Sequence, residues 1–363
     1  MIPDSVLALR HALHGIPERS NQERQTMQLL IRFLQEHTTL EIHPKNGWFY
    51  AMHREPDAEQ TIGVRADMDA IESSQGTLFH GCGHDGHSTI LAGLGLALES
   101  AVCGKNICLI FQPGEETGTG GARVCEELLQ EQRLDRILGY HNIPGVPLGT
   151  VLLRPGTFAC ASLGLSIEIA GQQSHAAYPE QGKNPAYFIS ELVLQLPKLI
   201  EQIIHNQPDR LLMATVVQVK VGERNFGISA GTGTLALTLR GQRQQDLEQL
   251  EQSILEQVQK GCAFEGMECS WTRQDVFPDT VNRTDVLEQV TACLQRAEIP
   301  TQQLPEPMRW SEDFGWYLHR IPGVYLGFGA GETCCGLHTD GYEFPDQLVE
   351  PAVTALQTII SGL

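Results

Sequence analysis

The chain has 363 residues and a formal net charge of -19, from 25 Lys+Arg against 44 Asp+Glu. Nucleic acid and anionic membrane surfaces both call for a basic patch, so this balance speaks against them and for a small-molecule ligand. The length exceeds one ordinary core and predicts two domains of about 100 to 200 residues each. No stretch approaches the roughly 18 apolar residues of a membrane span. The opening Met1-Ile2-Pro3-Asp4 carries neither a basic region nor an apolar run, so a cytoplasmic protein is expected. The 10 cysteines are too few and too scattered for a disulfide scaffold and are expected to be reduced.

From Ser5 to about His37, apolar residues recur at helical spacing and break at Gly15-Ile16-Pro17, which predicts two helices. Trp48 to His53 and Thr61 to Ala66 read as strands, the second delivering Asp67 and Asp69 at its carboxyl end. The stretch 80–87, H-G-C-G-H-D-G-H, crowds three histidines, a cysteine and an aspartate among glycines. Ile90, Leu91, Leu94 and Leu98 follow at helical spacing, so the stretch reads as a loop opening into a helix. Asn106 to Gln112 is an apolar strand stopping at Pro113-Gly114, with Glu115-Glu116 just beyond; Ile137 to Tyr140 is another, ending in His141. Near the end, the strand Val324 to Phe328 precedes a Gly-rich loop carrying His338, and Asp285 to Ala297, Ser311 to Arg320 and Gln347 to Ile360 read as helices.

Alternating strands and helices predict an α/β fold with a mostly parallel sheet, which binds ligands outside the carboxyl ends of its strands. The polar candidates all fall there. Between these halves the order changes to βαββαβ, the ferredoxin-like arrangement. We therefore expect a catalytic domain of residues 1–158 and 272–363 and an inserted domain at 159–271.

Cys82-x-His84 pairs a soft thiolate with an imidazole, as borderline metals prefer. The same pair could equally be a buried thiol beside a surface imidazole, or a Cys/His nucleophile, although the neighbouring acids suit a metal better. Paired acids such as Glu115-Glu116 are usually a solvated turn, but the apolar strand before them puts both carboxylates at the sheet rim. There one can bind metal while the other takes a proton from water. His141 and His338 gain weight from their shared place after apolar strands. Asp67 and Asp69 are ligands or acids that orient an imidazole, with Asp67 favoured for the orienting part. His175, in the inserted segment, is a candidate hydrogen-bond donor to an oxyanion.

Taken together, the motifs resemble the metal-dependent aminoacylase and carboxypeptidase family, in its branch of hippurate hydrolases, N-acetyl-amino-acid deacetylases and auxin-conjugate amidohydrolases. Eight stand in family order: 10–18 (R-H-A-L-H-G-I-P-E), 64–70 (V-R-A-D-M-D-A), 80–87, 111–116 (F-Q-P-G-E-E), 139–142 (G-Y-H-N), 174–179 (S-H-A-A-Y-P), 311–314 (S-E-D-F) and 337–339 (L-H-T). The resemblance implies two divalent metal ions per subunit held by Cys82, His84, Glu116, His141 and His338, with Cys82 where other branches use a bridging aspartate. Zn²⁺ and Mn²⁺ head the candidates, and Co²⁺ or Ni²⁺ suit the same donors. It further implies Glu115 as general base, Asp67 as ligand-orienting acid, and His175 as a lid histidine reaching a neighbouring subunit, hence a homodimer through a lid/dimerisation domain. The expected reaction is hydrolysis of the amide of an N-acyl amino acid. A dipeptidase or aminopeptidase acting on short peptides is the alternative, and a catalytically silent binding homologue a third.

Three features depart from the family pattern. The lid motif reads Phe226-Gly227-Ile228-Ser229-Ala230, with Gly227 where an asparagine usually helps hold the substrate, and the segment between Asp69 and His80 is short. The vicinal Cys334-Cys335 lies outside the pattern and is read as structural, with a lesser prospect of redox or metal sensitivity.

Overall fold

A computed structural model describes residues 3–205, 207 and 210–363 and divides them into two compact units. The opening Met1-Ile2 lies outside the described residues. Unit 1 comprises residues up to Phe158, Thr280–Pro307 and Glu312–Leu363; unit 2 comprises Ala159–Asp279 and Met308–Ser311.

Unit 1 is built on an eight-stranded mixed sheet. In spatial order the strands are Glu41–Pro44, Phe49–His53, Asn106–Gln112, Thr61–Asp67, Arg136–Ile143, Gly323–Gly329, Val151–Leu153 and Thr301–Gln303. The four central strands, from Asn106–Gln112 to Gly323–Gly329, are parallel. Their register sets Asp67 opposite Gln112 and His141 opposite Gly327. The carboxyl ends of the 61–67 and 106–112 strands and the last residues of the 136–143 strand thus share one rim. These strands are buried along nearly their whole length, so their runs of Ile, Leu, Val and Phe are continuous rather than alternating. The helix His84–Leu98 is buried almost all round and packs against the helices Asp4–His14, Arg24–His37 and Val349–Gly362.

Two local readings change. Ser311 to Arg320 is helical only over Gly315–Leu318, because Glu312 and Asp313 are held in other contacts. The edge strand Glu41–Pro44 has no apolar alternation and is not readable from the sequence.

Unit 2 has a four-stranded antiparallel sheet in the order Leu212–Val221, Thr232–Gly241, Ala161–Ala170, Glu268–Phe277. With the helices Pro185–Ile203 and Gln244–Glu265, the chain order is βαββαβ. The last strand passes the expected boundary at 271 and ends at Phe277, so residues 272–279 belong to unit 2. Leu163, Leu165, Ile167 and Ile169 alternate inward against Ile189, Leu192 and Leu250. The helix Gln244–Glu265 runs through Gly261, on which the Phe188 ring sits; a Cβ there would approach the ring to 2.1 Å.

Candidate metal centre

Cys82 sits in the loop ahead of the helix His84–Leu98, and Gly83 between the two ligand candidates has φ 92°. A Cβ there would lie 2.6 Å from the Tyr342 hydroxyl and 2.7 Å from Asn142 Oδ1, so conformation and space both demand glycine. His84 is the first residue of the helix, Glu116 follows the Asn106–Gln112 strand, His141 lies within the Arg136–Ile143 strand, and His338 adopts φ 61° in a C-terminal loop. The His338 backbone N–H donates to Gly81 O at 2.8 Å and ties that loop to the Cys82 loop.

The five candidate ligands converge. Cys82 Sγ lies 3.3 Å from His141 Nε2 and 3.3 Å from His338 Nε2. Glu116 Oε1 lies 3.7 Å from His84 Nε2 and 3.6 Å from His338 Nε2. Two donor triples, Cys82/His84/His141 and Cys82/Glu116/His338, share the sulfur. Ligands about 2.0 to 2.3 Å from a tetrahedral ion are separated by edges of about 3.3 to 3.8 Å, the spacing found here.

Two further observations fit the group to divalent ions. His84 Nε2 and Glu116 Oε1 are buried without hydrogen-bond partners among the described residues. Meanwhile the opposite ring nitrogens are engaged: His84 Nδ1 faces Asp69 Oδ1 at 3.1 Å, and His141 Nδ1 lies 2.8 Å from Asn142 O. Each imidazole therefore turns Nε2 towards the sulfur and the carboxylate, as metal-ligating histidines do.

The surroundings carry an excess of buried negative charge. Arg65, fully buried, pairs with Asp67 at 2.8 Å, Glu312 at 3.0 Å and Asp313 at 2.5 Å. Asp69, Glu115 and Glu116 crowd the same region with no arginine or lysine ion pair of their own among the described residues. Burial, and then Glu312, Glu116 and Asp313, push the Glu115 carboxyl well above the usual range. Burial likewise pushes Glu116 up to about 7. Burial and the nearby carboxylates also raise the Cys82 thiol well above its ordinary value. Burial works against the charged form of His84, yet Asp67, Asp69 and Glu116 outweigh it and raise its imidazole to about 10. A site this anionic calls for cations.

Several residues differ in place from the expectation or were missed. Asp67 faces His87 Nδ1 at 2.6 Å and Arg65, and its Oδ2 lies 3.6 Å from His84 Nε2, while the other His84 ring nitrogen is taken by Asp69. Asp69 Oδ2 also accepts the Glu116 backbone N–H at 3.0 Å, so one aspartate orients two candidate ligands. His87 forms a further donor group with Asp67 and His84, but its two ring nitrogens are already engaged, Nδ1 by Asp67 and Nε2 at 2.5 Å from Asn142 Oδ1. Arg65, Glu312 and Asp313 had no local signal beyond their place in motifs 64–70 and 311–314. Glu115 is buried beside the cluster, and its Oε1 accepts the Asp313 backbone N–H at 3.4 Å. His175 belongs to unit 2, exposed in a two-residue strand paired with Ile228-Ser229. The neighbouring Gly227 is exposed, and its carbonyl accepts the Ala176 N–H at 2.9 Å.

The sequence matches the model of peptidase family M20/M25/M40 over residues 63–361. The chain belongs to this family. It is 29% identical to an N-acetyldiaminopimelate deacetylase of Bacillus subtilis over 96% of both chains. It is 28% identical to an N-acetyl-L-cysteine deacetylase of the same organism, over 89% of this chain and 80% of the other. Among solved structures, a dinuclear metal binding peptidase of the family from Bacillus subtilis superposes with a TM-score of 0.80 at 21% identity, covering 99% of this chain and 97% of that one. At that identity the superposition speaks to the fold, which the family membership shares.

Proposed function

We propose that this family member is a two-metal amidohydrolase that cleaves the amide bond of an N-acyl amino acid. The observation that carries the reading is the pair of donor triples sharing Cys82, with a sixth side chain, Glu115, buried beside them and outside both triples. Cys82, His84, Glu116, His141 and His338 would hold the ions. Zn²⁺ or Mn²⁺ suits the mixture of thiolate, imidazole and carboxylate, and Co²⁺ or Ni²⁺ is acceptable to it. Bound divalent ions act as Lewis acids that acidify a water and polarise the amide carbonyl.

The chain's own residues supply the rest. Glu115 takes a proton from the attacking water and delivers it to the departing amine nitrogen, so water and amide become a carboxylate and a free amine. Asp69 fixes the His84 ring and the Glu116 backbone; Asp67, clamped by Arg65, fixes His87, whose ring lies 4.6 Å from that of His141. His175 Nδ1 accepts the Ala177 N–H at 3.0 Å, which leaves Nε2 as the protonated nitrogen and a donor for the oxyanion. We assign that donor to a second copy in a homodimer. The ten free cysteines suit a reducing cytoplasm, and no described helix is long and apolar enough to cross a membrane.

The deciding experiment strips the protein with chelator, reloads it with one metal at a time and offers a panel of N-acetyl amino acids beside free-amine dipeptides. Faster turnover of the acetylated compounds supports the deacetylase reading, for which the deacetylase relatives are the warrant. Preference for dipeptides replaces it with a peptidase, and silence across the panel leaves a binding homologue.

A further inference from the structure

The segment between the two N-terminal helices supplies no candidate ligand, yet it buries a carboxylate. Glu23 is 3% exposed, and its Oε1 accepts two backbone N–H groups, from Gly114 at 2.8 Å and from Asn21 at 2.9 Å. Gly114, at φ 67°, immediately precedes Glu115-Glu116, and a Cβ there would meet the Asn21 side chain at 2.8 Å. Asn21, itself at φ 63°, donates from Nδ2 to Thr119 Oγ1 at 2.9 Å on the other side of the glutamate pair. The loop carrying both glutamates is thus gripped before and after them. A third grip comes from Ser20, whose hydroxyl donates at 2.7 Å to Asp69 Oδ2, the oxygen that also takes the Glu116 N–H.

We propose that Glu23 is a positioning residue for the hydrolysis: by holding the Gly114 amide it fixes the loop that presents Glu116 to the metals and Glu115 to the water. The proposal rests on the function proposed above. Its chemistry is specific, because both amides go to one oxygen. A glutamine carbonyl at the same reach accepts the same two N–H groups, whereas alanine accepts none and aspartate stops one methylene short. Partners that orient metal ligands change metal affinity or activity by about 10-fold to 100-fold when removed.

The test compares full-length wild type with Glu23→Gln, Glu23→Ala and Glu23→Asp. Three measurements are made: hydrogen exchange at the Gly114 amide, affinity for Zn²⁺, and steady-state kinetics giving kcat and KM on an N-acetyl amino acid at saturating metal. Glu23→Ala should speed Gly114 exchange by at least about tenfold, in line with local opening of a released amide. It should also weaken Zn²⁺ binding and lower kcat by about 10-fold to 100-fold, with KM little changed. Glu23→Gln should stay near wild type in all three. Should the alanine variant fail to fold, Glu23→Asp carries the same expectation. Unchanged Gly114 exchange in the alanine or aspartate variant, or a glutamine variant as impaired as alanine, would overturn the proposal. A wild type that hydrolyses no acyl amino acid removes the functional reading instead, while exchange and Zn²⁺ affinity still decide the role of Glu23.

Discussion

The two units bury different kinds of matter. In unit 2 the enclosed side chains are mostly apolar, Leu165, Ile167, Leu235 and Leu237 facing Ile189, Leu250 and Ile254, and its buried acids Asp246 and Glu251 each pair with an arginine. In unit 1 an apolar core of the same kind lies under the sheet, but its rim encloses Arg65, Asp67, Asp69, His84, Glu115 and Asp313 as well. Apolar burial is non-directional and tolerates repacking, whereas a buried charge must keep every partner. Stability and chemistry should therefore come apart on mutation: they share residues at the rim of unit 1 and are independent in unit 2.

The largest expected effect is the purest chemical one. Glu115→Gln keeps shape and removes the proposed proton acceptor, and should lower kcat by about 10²-fold to 10⁴-fold with metal content unchanged by elemental analysis. Turnover near wild type would refute the base assignment. A related experiment addresses the exposed His175: mixing Glu115→Gln subunits with His175→Ala subunits should restore activity that neither shows alone, because one site of the mixed dimer has both residues. No recovery on mixing would remove the shared-site homodimer.

Next comes Arg65→Met, which leaves Asp67, Glu312 and Asp313 buried without their cation. Removing one partner of a buried ionic group costs about 3 to 5 kcal/mol. The sign with pH follows from Asp313, which burial raises to about 7 even against the opposing pull of Arg65; without that cation it rises further above its unfolded value, so the variant is least impaired at low pH and loses stability as pH rises. Denaturant titrations of chelated protein across the pH range check this; a loss independent of pH would show that packing, not charge, is what Arg65 supplies. Leu237→Ala makes the contrasting case in unit 2. A cavity there costs about 2 to 5 kcal/mol, with no pH dependence and full metal binding by the folded protein.

The same contrast explains what could be read from the sequence. Strands, helices and the carboxyl-end placement of Glu115, Glu116 and His141 followed from local pattern, because apolar burial leaves a period in the chain. Asp69 lay in view beside Asp67, but which of them takes His84 Nδ1 depends on how the 61–67 strand leads into the loop after it, and periodicity is silent on that. Arg65 meets Asp313 across 248 positions, and Glu23 meets Gly114 across 91; no spacing rule connects such pairs. The segment 311–320 misled for the same reason. Glu312 and Asp313 could open a helix by composition, but Arg65 holds both, the Gly121 N–H goes to Asp313 and the Tyr325 hydroxyl to Glu312. Gly261, inside the helix Gln244–Glu265, is a seat for Phe188.

The smallest effect tests the periphery of the polar rim. His14 Nδ1 lies 2.7 Å from Asp85 Oδ2, which also takes Arg10 Nη1 at 2.6 Å, and this pairing braces the helix Asp4–His14 against the start of the helix His84–Leu98. The hydrogen bond to Asp85 raises the His14 pKa against the opposing effect of burial. A raised histidine pKa stabilises the fold fully below the unfolded value of about 6.5, and the contribution fades as pH rises through the folded value. The His14 side chain is 41% exposed, so water and salt limit the pair to about 1 kcal/mol at most. His14→Ala should accordingly lower the Tm of chelated protein most below about pH 6.5 and converge on wild type at alkaline pH. A Tm gap that is constant or widens with pH would mean that the imidazole acts there as apolar packing. In that case the rim of unit 1 would behave, at its edge, like the core of unit 2.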